Sequence, residues 1–185
     1  TVMKKLTNKG KVINLGCRLN FFESEIIENI LTKEKDVSKV VINTCAVTNN
    51  AVQKSVYAVK KALKDFPNSE VIVTGCASQI EKNRFENLGN VSKIVDNKFK
   101  TNPNSYIGEN TVYKENFNFP SIDYLSTQRT RAMLQIQQGC NHRCTFCIIP
   151  YGRGDAVSLK FTEISKRVKK ILSSGITEIV LTGVD

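Results

Sequence analysis

The sequence predicts an α/β chain in two parts: a three-layer parallel-sheet domain, then the first strand–helix units of a second domain. Three observations carry this. Short β-branched runs recur ahead of helix-period stretches from residue 11 onward, each run ends in a small polar or glycine-containing turn, and the same order restarts near residue 130.

Lys11 to Leu15, Lys39 to Ile42 and Glu70 to Val73 are the first expected strands, with Val91 to Val95 a fourth. Helical spacing spans Glu23 to Leu31. It returns over Ala51 to Phe66, where Val52, Val56, Val59 and Leu63 recur at three and four residues, and again over Ile80 to Leu88. Pro67 and Asn68 stop the second helix. Residues 97–129 carry Asn, Ser, Lys and scattered aromatics without a sustained period and read as a linker. Beyond it come a strand at Ala132 to Gln137, a cysteine-containing loop, a helix at Thr162 to Ser173 with Ile164, Val168 and Ile171 on one face, and a strand at Glu178 to Leu181. The expected domains are therefore 1–96 and 130–185, joined by 97–129.

With 185 residues, 41% of them hydrophobic, the chain can bury a core. Its 27 Lys and Arg against 17 Asp and Glu give a net charge of +10, a bias toward polyanions such as RNA. No apolar signal segment opens the sequence and no run approaches the ~18 apolar residues of a membrane span, so a cytoplasmic protein without a membrane partner is expected. Thiols stay reduced in that compartment. The six cysteines then read as core residues, metal ligands or nucleophiles rather than disulfides.

Cys140, Cys144 and Cys147 form C-x3-C-x2-C directly after an expected strand. A loop this tight can turn three sulfurs to one centre, and thiolate is the ligand that iron–sulfur clusters require. Three thiolates on a four-iron cluster leave one iron open to a chelating small molecule. A zinc site with His142 as fourth ligand is the alternative chemistry. His142, the one histidine in the chain, otherwise reads as a solvent-facing loop residue.

Cys17, Cys45 and Cys76 lie far apart, and each alone would read as a core cysteine. Each, however, follows the carboxyl end of an expected strand, in Asn14-Leu15-Gly16-Cys17, Ile42-Asn43-Thr44-Cys45 and Val73-Thr74-Gly75-Cys76. Loops and ligands gather at that edge of an open parallel sheet. Three thiolates are expected on one rim, again one short of a closed four-thiolate set, which favours a cluster over a four-coordinate structural zinc.

The C-x3-C-x2-C spacing resembles that of the radical S-adenosylmethionine (SAM) enzymes. Two three-cysteine sites in this order resemble the methylthiotransferase family within them, over nearly the whole chain. The resemblance implies that residues 130–185 open a partial (β/α) radical SAM barrel and that the protein carries two 4Fe-4S clusters and SAM. Cys140, Cys144 and Cys147 would hold the cluster that cleaves SAM to a 5′-deoxyadenosyl radical, with Phe146 near the SAM adenine and Gly183 near its amino group. Cys17, Cys45 and Cys76 would hold the auxiliary cluster, where sulfur is held for transfer. No catalytic residue is assigned.

Gly16-Cys17-Arg18-Leu19-Asn20, Glu23-Ser24-Glu25, Asn43-Thr44-Cys45-Ala46-Val47-Thr48 and Thr74-Gly75-Cys76 look like the family branch that acts on N6-threonylcarbamoyladenosine at position 37 of tRNA. The isopentenyladenosine branch and a non-catalytic metal- and nucleic-acid-binding fragment are the alternatives. Implied partners are tRNA and an electron-donor protein, with the chain a monomer. Cys147 to Gly154 also matches the family, whereas its downstream Ser-Arg pair is replaced by Ser158-Leu159. Family members continue through the rest of the barrel into an RNA-binding β domain, so the chain is expected to be a fragment or a truncated product without turnover of its own. Lys60, Lys61, Lys64, Arg129, Arg131, Lys166, Arg167, Lys169 and Lys170 are the candidate phosphate contacts.

Overall fold

The computed structural model describes residues 10–33, 38–106, 117–124 and 130–185. Strand β1 (Lys11–Asn14) leads to helix α1 (Arg18–Lys33), and β2 (Lys39–Thr44) leads to α2 (Asn49–Asp65). After β3 (Glu70–Gly75) come two short helices, α3 (Cys76–Ile80) and α4 (Lys82–Glu86), and the two-residue β4 (Lys93–Ile94). The four strands form one parallel sheet in the order β1-β2-β3-β4, with Ile13 beside Ile42 and Ile42 beside Val73.

Side chains alternate across a strand, and here both faces are apolar. Val40, Ile42, Val71 and Val73 pack with Val52, Val56, Val59 and Ala62 of α2. Val41 and Ile72 lie on the other face, with Leu19, Phe22, Ile26, Ile27 and Ile30 of α1. The expected three-layer domain is thus present. Each of the Val, Leu, Ile and Phe side chains among them, removed from water, contributes about 1.5–3 kcal/mol.

The differences from expectation are local. Helix α1 starts at Arg18 rather than Glu23, because the Cys17 carbonyl accepts its first bond from Phe21 N at 2.9 Å and Leu19 and Phe22 add buried area. Thr48 caps α2, its hydroxyl accepting from Ala51 N at 3.1 Å. The helix expected over Ile80 to Leu88 is broken at Glu81, whose φ of −113° and ψ of 46° leave the helical region. The residues at 97–106, expected as linker, pack on the first domain: Asn97, Lys100, Thr101, Ser105 and Tyr106 are buried, and Tyr106 OH donates to Lys100 O at 2.6 Å.

The second unit begins with β5 (Arg131–Gln135), which pairs in parallel with β8 (Glu178–Thr182). Helix α6 (Phe161–Ser173) covers the pair, and Ala132, Leu134, Ile171 and Ile176 form its core. The strand expected to run to Gln137 divides at Ile136. Its N–H donates to Thr182 O while its carbonyl accepts from Leu159 N, handing the chain on to β6 (Gln137–Gln138), which pairs antiparallel with β7 (Val157–Ser158). Between β6 and β7 lie the cysteine loop and the short helix α5 (Ile149–Arg153). Among the described residues no helix is long and apolar enough to cross a membrane.

Candidate metal centres and a buried charge cluster

The carboxyl edge of the sheet is shaped by its close approaches. Gly75 adopts φ of 100°, and a Cβ there would meet the Thr44 carbonyl oxygen at 2.3 Å, so this turn requires glycine. Thr44 Oγ1 donates to Thr74 O at 2.7 Å and accepts from Ser78 N at 3.1 Å, tying the ends of β2 and β3 together. Cys45 N donates to Ser55 Oγ at 3.2 Å, which fixes the second cysteine against α2.

On this edge Cys17, Cys45 and Cys76 line one cavity of about 310 Å³, with Ile148, Ile149 and Arg153 of the second unit across from them. All six cysteines are free thiols. Burial raises the Cys45 thiol above its ordinary range, and the neighbouring Cys76 and Cys17 sulfurs push the same way. The second unit approaches at Gly152, where a Cβ would come within 3.0 Å of Cys76 Cβ, so α5 lies directly against the third cysteine. Asn97 Nδ2 donates to Gly152 O at 2.5 Å and holds that contact.

The loop carrying Cys140, Cys144 and Cys147 is pinned along its length. Cys140 N donates to Gly154 O at 3.0 Å, Ala156 N donates to Asn141 Oδ1 at 2.9 Å, and Arg143 donates to both Cys140 O and Asp155 Oδ1 at 2.8 Å. Cys147 N closes a turn on Cys144 O at 3.0 Å. The Cys140 thiol is buried and donates to Asp185 Oδ1 at 3.2 Å; burial and that carboxylate raise it above its ordinary range, so a metal would displace its proton. Cys144 is exposed and Cys147 half-buried. Phe146 is 91% exposed. His142 is exposed, with Nε2 3.5 Å from Asp185 Oδ1. Gly183 sits on Gln137, whose Oε1 accepts from Val184 N at 2.8 Å and Asp185 N at 3.1 Å.

Among the described residues no group of three His, Cys, Asp or Glu stands ready to hold a single metal ion. A four-iron cluster spreads its thiolates around its own bulk, so the relevant measure is the space the sulfurs enclose. At the first site that space is the 310 Å³ cavity, which the three free thiols line together with residues of the second unit. The donor set and the room fit an iron–sulfur cluster there. At the second, the three free thiols on one short loop supply the donor set.

Sequence reasoning missed a buried charge group that joins the two units beside the first site. Arg153, which lines the thiol cavity, binds Glu23 of α1 through both oxygens, Nη1 to Oε1 at 2.9 Å and Nη2 to Oε2 at 3.0 Å. It also donates to Asn20 Oδ1 at 2.5 Å and Gln138 Oε1 at 2.9 Å. Lys100 reaches the same carboxylate at 2.6 Å. The side chains of all three are at most 2% exposed. Burial alone would raise the Glu23 carboxyl, but Arg153 and Lys100 override it and hold it below the ordinary range. Burial works against the Arg153 charge as well, yet Glu23 and the Cys76 and Cys17 sulfurs together outweigh it and raise the guanidinium further. Glu23 sits within the motif after Cys17 and Arg153 within the one after Cys147, so proximity to each triad was the available signal.

Of the candidate phosphate contacts, Lys60, Lys61, Lys64, Lys166 and Lys169 are exposed. Arg167 is bound to Glu163 and Pro120 O, Lys170 to Asp123, and Arg131 to Glu178. Arg129 lies outside the described residues.

Comparison with known proteins sets this geometry in a class. Residues 9–96 match the model of the "Uncharacterized protein family UPF0004", and residues 134–185 match the Radical SAM superfamily. The chain is therefore a UPF0004 domain followed by radical SAM sequence. It is 37% identical over 183 residues to the threonylcarbamoyladenosine tRNA methylthiotransferase MtaB of Rickettsia prowazekii, covering 96% of this chain and 44% of that one. It is 34% identical over 194 residues to the Bacillus subtilis MtaB, covering 92% of this chain and 42% of the relative. The ribosomal protein uS12 methylthiotransferase RimO of Salmonella paratyphi B is 34% identical over 203 residues, covering 99% and 44%. The chain belongs to the methylthiotransferase family of radical SAM proteins. It spans less than half the length of these relatives.

Proposed function

We propose that this chain is the cluster- and SAM-binding front of a tRNA methylthiotransferase acting at C2 of N6-threonylcarbamoyladenosine. The observation that carries the reading is the convergence of Cys17, Cys45 and Cys76, from three neighbouring strand ends, on one cavity whose opposite wall belongs to the second cysteine unit. Two metal–sulfur sites in one protein suit a reaction that must both generate a radical and supply sulfur.

Cys17, Cys45 and Cys76 would hold the auxiliary 4Fe-4S cluster, and Cys140, Cys144 and Cys147 the one that receives SAM beside Phe146 and Gly183. When bound, the cofactors supply the radical that takes hydrogen from the adenine carbon and the sulfur and methyl that replace it. The chain's own contribution is placement. Arg153 and Glu23 clamp the second unit on the first, Gly152 lets α5 close on Cys76, and Gln137 fixes Gly183 at the end of β8. Exposed Lys60, Lys61 and Lys64 on α2 offer charge to an RNA backbone.

Within the family, Arg18-Leu19-Asn20 after the first cysteine favours the tRNA branch over the ribosomal-protein branch, which usually carries Pro-Lys-Asn there. The test is mass spectrometry of tRNA nucleosides after anaerobic incubation with SAM, reductant and sulfide, using protein in which this chain is joined to a complete barrel and RNA-binding domain. The 2-methylthio derivative of threonylcarbamoyladenosine is expected, and is expected to vanish on replacing Cys140. Modification of a ribosomal protein with tRNA untouched would refute the reading.

A further inference from the structure

Resting on the reading that Cys17, Cys45 and Cys76 hold a metal–sulfur group, we propose that Arg153 and Lys100 tune that group electrostatically, as a buried cation pair only half neutralised by Glu23.

The charge count follows from hydrogen bonding. Arginine stays protonated in proteins, and the guanidinium of Arg153 is engaged by Glu23, Asn20 and Gln138. Lys100 Nζ has three acceptors, Glu23 Oε2 at 2.6 Å, Asn20 Oδ1 at 3.3 Å and Asn43 Oδ1 at 3.4 Å. An ammonium offers a donor to each of the three oxygens, whereas a neutral amine has two donors and would turn its lone pair toward the third oxygen. Asn43 cannot be turned to relieve this, since its Nδ2 already donates to Asn20 O and Ser24 Oγ at 3.0 Å. Among the described residues the carboxylate paired with both cations is Glu23. Two cations against one anion leave a surplus of one positive charge, with both cationic side chains at most 2% exposed.

A buried, uncompensated charge is costly, and water does not screen it well. It therefore needs an anionic neighbour. Arg153 lines the cavity of the three thiols, and the Cys76 and Cys17 sulfurs favour its charge; burial lowers the Lys100 ammonium below its ordinary range, Arg153 adding to the effect, against the support of Glu23 and Cys76. Three thiolates around a metal–sulfur core bring negative charge to that cavity. Adding one electron makes it more negative still, so a fixed surplus positive charge favours the reduced form and raises the reduction potential.

The experiment uses the 185-residue chain with Cys140, Cys144 and Cys147 replaced by Ala, reconstituted anaerobically with iron and sulfide so that the first site alone is loaded. Its reduction potential is read by spectroscopically monitored titration, the electron coming from the titrating reductant. Lys100→Met removes a positive charge and should shift the potential to more negative values. Glu23→Gln adds one to the surplus and should shift it to more positive values, Arg153→Lys should leave it near the parent, and the double variant E23Q/K100M should return toward it. A purely structural role would move Glu23→Gln and Lys100→Met in the same direction, and that result overturns the proposal. Should Glu23→Gln fail to fold, the sign of the Lys100→Met shift decides alone, with no shift or a positive one refuting it. A parent with no iron refutes the site reading itself and this inference with it.

Discussion

Replacing Glu23 with Ala removes the carboxylate that holds two buried cations, Arg153 and Lys100. Breaking a buried ion pair by deleting one partner costs about 3–5 kcal/mol, because the other charge is left without compensation. Here both Arg153 and Lys100 would be stranded, each at most 2% exposed, so Glu23→Ala belongs at the top of that range, about 5 kcal/mol. Arg153→Met is milder. Glu23 keeps Lys100 at 2.6 Å and the methionine fills part of the space, so the expected loss is about 3 kcal/mol. Against a typical domain stability of about 5–15 kcal/mol, both effects are large. Urea unfolding of the metal-free chain at neutral pH, followed by circular dichroism, measures them. If Arg153→Met costs as much as Glu23→Ala, or both cost under about 1 kcal/mol, the buried cluster does not bind the two units as described.

Because the Glu23 carboxyl is held below its ordinary range when folded, its contribution is present above the unfolded value and is lost as pH falls through the folded one. The deficit of Glu23→Gln relative to the parent should therefore shrink on acidification, as chemical denaturation at stepped pH would show; a constant deficit would contradict this. Gly75→Ala combines φ of 100° with a Cβ 2.3 Å from Thr44 O, and should cost roughly 2–4 kcal/mol and weaken iron retention at the first site. An unchanged unfolding midpoint would count against the tight edge. Phe85→Ala, which empties a fully buried position, should cost about 3–5 kcal/mol in the same assay, and a loss under about 1 kcal/mol would count against that core.

Both strand-end cysteine placements and the three-layer sheet were legible in the sequence because they rest on local signals. The β-branched runs at Val40 to Ile42 and Val71 to Val73 mark strands, and period-two alternation assigns each residue a face. Cys17, Cys45 and Cys76 could be placed on one rim from strand ends alone, since parallel neighbours put their carboxyl ends together. What the sequence concealed depends on contacts across the chain. Lys100 sits in a stretch of polar residues with no period, and nothing local distinguishes it from a solvated lysine until residues 97–106 fold back on α1. The Arg153 to Glu23 pair joins positions 130 residues apart. The break at Glu81 is a backbone change inside a helix-compatible sequence, and the split of β5 from β6 at Ile136 follows from Thr182 and Leu159 claiming its backbone groups. In the same way, charge composition marks the lysines as candidates for RNA contact, but only the fold shows that Arg167 and Lys170 are already engaged at the surface by Glu163 and Asp123.

The central claim is that the six cysteines form two separate cluster sites, three to each. Anaerobic reconstitution followed by iron and acid-labile sulfide analysis tests it most directly, on the parent chain and on two triple variants. The parent should hold two 4Fe-4S clusters. Replacing Cys140, Cys144 and Cys147 with Ala should leave one, and replacing Cys17, Cys45 and Cys76 should also leave one. A parent that never exceeds one cluster, or a triple variant that loses all its iron, would contradict the account.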